Sequence, residues 1–419
     1  MRCLKKSGTR FLETFKVITV PSVKSVAKNL FTGSSYTMKN RIALFLIITL
    51  FSLPSAIQAQ STVYLPVIIR QVETFNFNEA MAPFWLGSTM YNESVLMVSS
   101  NGVAPEASFL FTPITILSVK NSHLNIEYTA GIEWIYENGK LKLLPGARAP
   151  FMTMNDLYPV SCTVWVDCFY KVGEGYVLWQ EGHYFHDRQL AVTYTHSGIG
   201  WNGPVPQFAG TNLPNTISKL QSGSPLKIIL YGDSIAIGFN ASGVTGFLPY
   251  LPGWGDLIVR KLRENYSSTI TSKNPSVSGV DSEWGKANAA SLVTQENSDL
   301  VIIAFGMNDG TRGVPPGTFK NNVAAIMADV KTGNPSAEFI LVAPMLPNAE
   351  TYFYGQQLNY KQALQELTTI GVVLSDMTGV HQELLTYKKY SDMTGNNINH
   401  PNDFLIRWYA QVISALLIN

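Results

Sequence analysis

The chain has 419 residues, a formal net charge of +1 and only 14% charged residues. This weak, balanced charge gives no electrostatic basis for binding a nucleic acid, which requires concentrated positive charge. The length suggests two or three domains of ordinary size, each long enough to bury a hydrophobic core.

The first 59 residues are interpreted as a presequence and not as part of a fold. Lys39, Asn40 and Arg41 precede an apolar run at 42–53, and small residues follow up to Ala59. This order is typical of a secretory signal peptide at about 38–59, with cleavage after Ala59. The sequence therefore predicts a secreted or periplasmic protein.

Met38 directly opens the signal-peptide pattern, so our hypothesis is that translation starts there and that residues 1–37 are not translated. The alternative is a single-pass membrane anchor. The apolar run has 12 residues, whereas a helix that spans a bilayer needs ~20. We therefore expect no stable membrane insertion after signal cleavage.

Cys162 and Cys168 are the only cysteines that follow the presequence. In an oxidising compartment they can form a disulfide, although their spacing permits the bond without requiring it. Two thiols without neighbouring Cys or His pairs make a poor structural zinc site.

Residues 60–222 are predicted to form an all-β domain, a sandwich of the jelly-roll type, because short β-branched and aromatic runs recur between turns. Asn138-Gly139 separates two of these runs and predicts a hairpin with a type I′ turn. The runs are Val95–Val98, Ser108–Phe111, Ile116–Val119, Leu124–Tyr128, Ile132–Tyr136, Leu141–Leu144, Val164–Tyr170, Gly175–Trp179 and Gln189–Thr195.

Three histidines of this region, His183, His186 and His196, raise the question of a metal site. Imidazole is a common metal ligand. No carboxylate or cysteine stands at a familiar metal-motif spacing, so we prefer histidines that form hydrogen bonds in loops between strands. We expect no metal site.

Residues 200–225, rich in Gly, Pro, Asn and Ser, are predicted to form a loop-like linker. Its apolar residues Trp201, Phe208 and Leu213 indicate that it packs against a domain.

From residue 223 to 419 strands alternate with helices, which predicts an α/β domain with a parallel sheet covered by helices on both faces. Strands are predicted at Leu226–Tyr231, Thr269–Ser272, Leu300–Phe305, Glu338–Ala343 and Gly371–Leu374. Helices are predicted around Trp254–Leu262, from Pro316 to Val330, and from a cap at Asn402 or Asp403 to Leu416.

Four short blocks of this region carry the chemistry. Gly232-Asp233-Ser234 ends the first strand and is followed by Trp284-Gly285, by Phe305-Gly306-Met307-Asn308-Asp309 and by Asn399-His400-Pro401. Together they resemble the SGNH, or GDSL-type, hydrolase family over about the last 195 residues. The resemblance implies a three-layer α/β/α fold of the flavodoxin-like type.

The resemblance also implies a role for each block. Ser234 is the expected nucleophile, and His400 is the base that takes its proton and later protonates the leaving alcohol. The backbone N–H groups of Ser234 and Gly285 and the side-chain amide of Asn308 are the expected oxyanion donors. Gly279 is an alternative to Gly285.

One position departs from the family pattern. The family usually carries an Asp three residues before the His, where it fixes the imidazole tautomer and stabilises the imidazolium. Here Asn397 stands in that place. Three substitutes remain open: the Asn397 amide or a backbone carbonyl, which would leave a Ser234–His400 dyad, then Asp392, then Asp403.

The resemblance implies a serine esterase without a cofactor that works through an acyl-serine intermediate. A β-sandwich before an exported SGNH domain also resembles carbohydrate esterases that remove acetyl groups from polysaccharides. The expected partner is therefore an acylated carbohydrate or a small ester; the residues favour no oligomeric state. The alternatives are a general esterase or lipase of the GDSL type, and a non-catalytic glycan-binding protein.

Overall fold

A computed structural model of the chain describes residues 73–198 and 200–419. The predicted signal peptide and the proposed start at Met38 lie outside the described residues. In this described part of the chain, no helix is long and apolar enough to cross a membrane.

Ten strands lie within residues 73–198, in agreement with the predicted β structure, although the predicted run Leu124–Tyr128 is not one of them. β1, β10 and β4 form one antiparallel sheet in the order β1-β10-β4. A second sheet has the order β5-β6-β3-β2-β7, and β8 pairs with β9. That these sheets form a sandwich stays a prediction. The strands are β1 (Thr89–Leu96), β2 (Val98–Ser99), β3 (Glu106–Ala107), β4 (Thr115–Asn121), β5 (Trp134–Glu137), β6 (Lys140–Leu143), β7 (Met152–Thr153), β8 (Cys168–Tyr170), β9 (Tyr176–Leu178) and β10 (Gln189–Thr195). Three short helical turns lie among them: α1 (Phe77–Ala80), α2 (Met154–Leu157) and a 3-10 turn at His186–Arg188.

The hairpin predicted at Asn138-Gly139 is confirmed. Both residues have positive φ, 55° and 76°, as a type I′ turn requires, and Glu137 pairs with Lys140 across it.

The run Ser108–Phe111 was predicted as a strand, and this prediction is wrong. The backbone N–H of Leu110 donates to Glu93 at 2.9 Å, and that of Phe111 donates to the Tyr194 hydroxyl at 3.1 Å. Since buried side chains satisfy these donors, the segment needs no neighbouring strand.

The linker prediction is wrong over α3 (Pro214–Ser222), which is a helix. Its ends follow the usual chemistry, with a proline in the first turn and Gly223 in the left-handed conformation just past the last turn. Trp201 and Leu213 pack as predicted: the Trp201 ring lies 4.7 Å from that of Trp408, and Leu213 is fully buried.

The rest of the chain contains a five-stranded, all-parallel sheet in the order β12-β11-β13-β14-β15. This is the order of the predicted flavodoxin-like fold, in which β12 lies on one side of β11 and the later strands β13, β14 and β15 lie on the other. The strands are β11 (Leu226–Gly232), β12 (Ile270–Lys273), β13 (Leu300–Ala304), β14 (Glu338–Ala343) and β15 (Val372–Asp376). The helices are α4 (Ser234–Ile237), α5 (Ser242–Thr245), α6 (Trp254–Asn265), α7 (Ser282–Leu292), α8 (Met307–Thr311), α9 (Pro316–Gly333), α10 (Gln357–Gln365), α11 (Met377–Tyr387) and α12 (Asp403–Leu417), with 3-10 turns at Thr294–Glu296 and Tyr390–Asp392.

The two faces of this sheet are buried in separate hydrophobic clusters. Ile228 and Leu230 of β11 pack with α6 and α12, whereas Ile229 and Tyr231 pack with α7, α9 and α10. Alternate residues of a strand point to opposite faces, so the continuous apolar run of β11 follows from burial on both sides.

The strand-rich region and the α/β region are joined through polar contacts as well as through one hydrophobic cluster. Glu93 of β1 forms an ion pair with Lys388 at 2.5 Å, and neither side chain is exposed. The Asn402 side chain, which caps α12, donates to Ser94 and to Gln189, each at 2.9 Å. The domain boundary at residue 222 stays a prediction, although contacts of this kind bind the two regions closely.

Candidate active site

Ser234 lies directly after β11, at the carboxyl edge of the sheet. Asp233 is the N-cap of α4, and its carboxylate accepts the backbone N–H of Ile235 at 2.9 Å. Gly232 lies so close to β13 that an added Cβ would stand 2.2 Å from the Ala304 carbonyl oxygen, so only glycine fits. The turn therefore holds the Ser234 side chain at the edge where open α/β sheets bind their ligands.

His400 lies in the loop before α12, and its Nε2 is 2.9 Å from the Ser234 hydroxyl. Its backbone is held firmly: the N–H of His400 donates to the Asn396 side chain at 3.1 Å, and its carbonyl accepts the N–H of Gly395 at 3.0 Å. The structure thus brings together the predicted nucleophile and the predicted base, 166 residues apart.

The other ring nitrogen of His400 faces two side chains that the sequence did not suggest. Nδ1 lies 2.8 Å from Oδ1 of Asn240 and 3.4 Å from each carboxylate oxygen of Glu181. The Asn240 amide donates to the carbonyls of Gly182 and Gly395, at 3.1 and 3.4 Å, so its oxygen is the atom turned towards His400. This arrangement places the imidazole proton on Nδ1 and leaves Nε2 free to accept the proton of Ser234.

None of the three predicted substitutes for the missing acid contacts this imidazole. Asn397 donates through its amide to the Leu178 carbonyl at 3.0 Å. Asp392 accepts the N–H of Leu96 at 2.7 Å, and Asp403 accepts that of Ser242 at 2.8 Å. All three therefore serve the backbone of other segments, and these assignments are wrong.

Asn308 lies in α8, just after β13, the strand next to β11. Because Gly232 pairs with Ala304, the ends of the two strands bring Asn308 and Ser234 to the same edge of the sheet. The Asn308 amide donates one hydrogen to the Val280 carbonyl at 2.8 Å, which orients it and leaves its second hydrogen for a ligand. The N–H of Ser234 is in the first turn of α4, where it has no partner within the helix.

The structure contradicts the assignment of Gly285 as an oxyanion donor. Gly285 is inside α7, where its N–H already donates to the Asp281 carbonyl at 3.0 Å. A Cβ at this position would lie 2.6 Å from the Phe305 ring, so the glycine is required for packing. Gly279, the alternative, lies in the loop before α7 with φ 77° and directly precedes the residue that holds the Asn308 amide.

Two carboxyl groups lie beneath this edge. Burial raises the pKa of Asp233 to about 7, against the effect of its hydrogen bond from Ile235, and repulsion from Asp309 adds to the rise. Burial likewise raises the pKa of Asp309, whose carboxylate accepts the N–H of Ser282 at 3.1 Å and the Ser282 hydroxyl. Both carboxylates accept hydrogen bonds from backbone N–H groups of buried turns, so neither is placed to act as a general base.

His183, His186 and His196 form hydrogen bonds in loops and turns, as preferred from the sequence. His183 contacts Asp187 at 2.5 Å, His186 contacts the Leu248 carbonyl at 2.7 Å, and His196 accepts the N–H of Gly198 at 3.2 Å. Within residues 73–198 and 200–419, no group of three or more His, Cys, Asp or Glu could hold a metal ion.

Asn240 and Glu181 are the site residues that sequence reasoning missed. Asn240 has φ 67°, a conformation that Asn tolerates better than most residues, but nothing in its neighbours marks it as a partner of His400. Glu181 lies in the loop between β9 and the 3-10 turn at His186–Arg188, 219 residues before His400. No motif or periodic pattern connects positions so distant.

Comparison with known proteins finds a family match over most of the α/β region. Residues 230–404 match the sequence profile of the GDSL-like Lipase/Acylhydrolase family. The chain is 31% identical over 105 residues to an arylesterase of Vibrio mimicus, and this match covers 25% of this chain and 48% of that protein. It is 30% identical over 130 residues to Esterase TesA of Pseudomonas aeruginosa, and this match covers 30% of this chain and 58% of that protein. The chain thus spans about half the length of the curated relatives it matches.

Among solved structures, the chain is similar to a two-domain esterase (CEX) active on acetylated mannans. The two share 21% sequence identity and a TM-score of 0.42, over 52% of this chain and 55% of that chain.

Proposed function

We propose that this chain, whose residues 230–404 match the GDSL-like Lipase/Acylhydrolase family, is a carboxylic ester hydrolase that works through an acyl-serine intermediate. The observation that carries the proposal is the 2.9 Å contact between the Ser234 hydroxyl and Nε2 of a histidine whose Nδ1 is held by Asn240. A serine hydroxyl needs such a base to attack an ester.

Each step has a group in place. As Ser234 attacks the ester carbonyl, its proton moves to Nε2 of His400, and the carbonyl oxygen becomes an oxyanion. The N–H of Ser234 and the free amide hydrogen of Asn308 are available to stabilise this charge, with the N–H of Gly279 as a third donor. His400 then protonates the leaving alcohol, and the same base activates water to release the acid from Ser234.

We further propose that the acyl group is small, with acetyl the best fit. The Ser234 residue is only 3% exposed and His400 only 7%. The Phe239 ring lies 5.1 Å from the imidazole and narrows the approach further. A short acyl chain fits such a closed site better than a long one.

A polysaccharide is the proposed alcohol component, supported by a row of aromatic rings that leads to the site. Trp165 is 69% exposed and packs edge-on against Phe169 at 4.8 Å, and Phe169 lies 5.0 Å from Trp179. The Trp179 indole N–H donates to Glu181 at 3.3 Å, beside His400. Large, flat aromatic surfaces with one polar end suit the apolar face of a sugar ring.

The loop that carries Trp165 is closed by a disulfide between Cys162 and Cys168, whose Cα atoms are 6.3 Å apart. Disulfides persist in oxidising compartments. Together with the predicted signal peptide, this bond supports a secreted or periplasmic location, which we propose.

The test measures acetate release from a panel of acetylated polysaccharides beside p-nitrophenyl esters of increasing chain length. Wild type should favour acetyl esters, and a fluorophosphonate should label wild type but not Ser234→Ala. Absence of both labelling and hydrolysis would overturn the esterase proposal and favour a glycan-binding protein. A preference for long acyl chains would instead favour a general esterase or lipase.

Trp165→Ala separates the polysaccharide proposal from the esterase proposal. It should raise KM for the acetylated polysaccharide by about 3- to 10-fold, the usual worth of one aromatic contact, and leave p-nitrophenyl acetate hydrolysis unchanged. Tyr387→Ala is the matched control, because this tyrosine is also exposed but contacts Asn202 in the linker. An equal KM for both variants would overturn the aromatic sugar site.

A further inference from the structure

The carboxylate nearest to His400 belongs to the strand-rich region and not to the α/β region that carries Ser234. Glu181 lies three residues after β9, and both its oxygens are 3.4 Å from Nδ1 of His400. No other charged side chain in residues 73–198 and 200–419 contacts this imidazole; its remaining neighbours are Ser234, Asn240 and the Phe239 ring.

Asn240 alone performs only part of the work of a third triad member. Its amide oxygen accepts the Nδ1 proton at 2.8 Å, which fixes the tautomer. A neutral amide carries no net charge, however, and stabilises the imidazolium that forms during attack much less than a carboxylate does. The charge must come from a different group.

Glu181 is held where that charge is useful. Its carboxylate accepts the Asn396 amide at 2.8 Å and the Trp179 indole N–H at 3.3 Å. The oxygen of the same Asn396 side chain accepts the backbone N–H of His400, so one residue positions both the acid and the base.

The carboxylate is charged at neutral pH. Partial burial by itself would raise the pKa of Glu181, but the hydrogen bonds and the neighbouring His400 bring that pKa below its ordinary value. The side chain is 34% exposed, so solvent weakens the attraction without removing it.

We propose that Glu181 and Asn240 divide the function of the missing Asp: Asn240 fixes the tautomer of His400, and Glu181 supplies the negative charge that stabilises its protonated form. The proposal rests on the proposed esterase function. During attack the proton of Ser234 moves to Nε2, Nδ1 keeps its own proton, and Glu181 takes none. Glu181 is thus a positioning residue that acts through His400, and the strand-rich region completes the hydrolytic site.

The primary test is Glu181→Gln, which removes the charge and keeps the shape. Because Asn240 still fixes the tautomer, kcat should fall about 10- to 100-fold. A neighbouring opposite charge typically changes a pKa by about one to two, which corresponds to that factor. KM for p-nitrophenyl acetate should change little. The acidic limb of the kcat/KM profile should move to lower pH, since the protonated imidazole loses its counter-charge.

Glu174→Gln is the matched control. Glu174 is an exposed residue of the β8–β9 hairpin without a contact to His400, and its substitution changes the net charge equally. It should leave both kcat and the pH profile as in wild type. An equal effect of the two substitutions would overturn the proposal, because it would reveal a general charge effect.

Asn240→Asp in the Glu181→Gln background provides a rescue. The new carboxylate would lie where the amide oxygen now is, 2.8 Å from Nδ1, and should restore most of the lost kcat. A merely structural role of Glu181 would not be repaired in this way. Failure of the rescue in a folded protein, together with an unshifted pH profile in Glu181→Gln, would overturn the division of function.

Failure of this inference differs from failure of the proposed function. If wild type hydrolyses esters, Ser234→Ala does not, and Glu181→Gln equals wild type, only the inference fails. If wild type hydrolyses no ester, the ring resonances of His400, assigned with His400→Gln, still test the contact by NMR titration. Their midpoint should then lie at lower pH in Glu181→Gln than in wild type, and equal midpoints would overturn the inference.

Discussion

The Ser234 turn (residues 232–238) and the His400 loop (residues 388–402) hold the two reacting groups by different means. The turn is built from its own residues and the adjacent strand: Asp233 caps α4, and Gly232 lies against β13. The His400 loop depends on distant segments instead, because Lys388 pairs with Glu93 and Asn402 donates to Ser94. The position of the nucleophile therefore follows from local sequence, whereas the position of the base depends on contacts with the strand-rich region.

Ser234→Ala removes the nucleophilic hydroxyl from the Ser234 turn and should have the largest effect on kcat. Loss of the nucleophile should lower kcat by more than about 10⁴-fold, since removal of a triad member leaves only binding and oxyanion stabilisation. The free energy of unfolding should change by no more than about 1 kcal/mol, because one hydroxyl is lost. Hydrolysis of p-nitrophenyl acetate and urea denaturation measure the two quantities. Residual turnover above roughly a thousandth of wild type would point to a different nucleophile.

Lys388→Met breaks the attachment of the His400 loop. Among the described residues, it leaves the Glu93 carboxylate buried with only the Leu110 N–H and the Tyr194 hydroxyl as donors. The free energy of unfolding should fall by about 3–5 kcal/mol, as when one partner of a buried ion pair is removed. Urea denaturation measures the loss.

The control for Lys388→Met is Lys320→Met. The ion pair of Lys320 with Glu366 lies at the surface, with side chains 32% and 49% exposed. Its loss should cost less than about 1 kcal/mol. Equal costs for the two substitutions would show that the buried pair does not hold the His400 loop.

Asp233→Asn tests the turn through pH. The folded-state pKa of Asp233 is about 7 and its ordinary value is 3.8, so the folded state binds the proton more tightly. Wild type therefore loses stability as pH rises from about 4 to about 7, by up to about 4 kcal/mol from this group. Asn cannot ionise, so this part of the loss should disappear in the variant.

The measurement for Asp233→Asn is urea denaturation of both proteins at pH 4.5 and pH 8. Asp309 also has a raised pKa and contributes in the same direction in both proteins, so the difference between them isolates Asp233. If the difference in the free energy of unfolding between the two proteins does not grow with pH, the raised pKa of the buried Asp233 carboxyl group is contradicted.

Asn308→Ala removes one donor from the neighbouring strand end. It should lower kcat by about 10²–10³-fold with a smaller effect on KM, because the donor acts mainly on the transition state. Asn288→Ala is the control, since this amide donates to the Trp284 carbonyl inside α7. A change confined to KM would make Asn308 a substrate-binding residue.

Asn397→Gly should have the smallest effect, although it alters the position where the family carries its acid. Asn397 has φ 67°, which glycine adopts without strain, and the substitution removes only the hydrogen bond to Leu178. Stability should fall by about 1 kcal/mol, and kcat should stay close to wild type in the same ester assay. A large loss of kcat in the folded variant would make Asn397 the partner of His400 after all.

Local sequence determined the strands of the sheet, the Ser234 turn and the cap of the last helix. The run of β11 is apolar throughout because both of its faces are buried, and Asn402 caps α12 through the N–H groups of Phe404 and Leu405. Each of these features depends on residues only a few positions apart. The order of strands and helices along the chain then restricted the topology to the observed parallel sheet.

Only the tertiary structure decided which glycine lies next to the residue that binds the Asn308 amide, and which side chains face Nδ1 of His400. Gly285 and Gly279 look alike in the sequence. In the structure the N–H of Gly285 donates to a carbonyl within its helix, whereas Gly279 lies in a loop where its N–H is available to a ligand. Asn240 and Glu181 reach His400 across 160 and 219 residues. Periodicity and motifs report on neighbours along the chain, whereas these contacts join distant segments. The loop after α4 brings Asn240 to the sheet edge, and the strand-rich region brings Glu181 there.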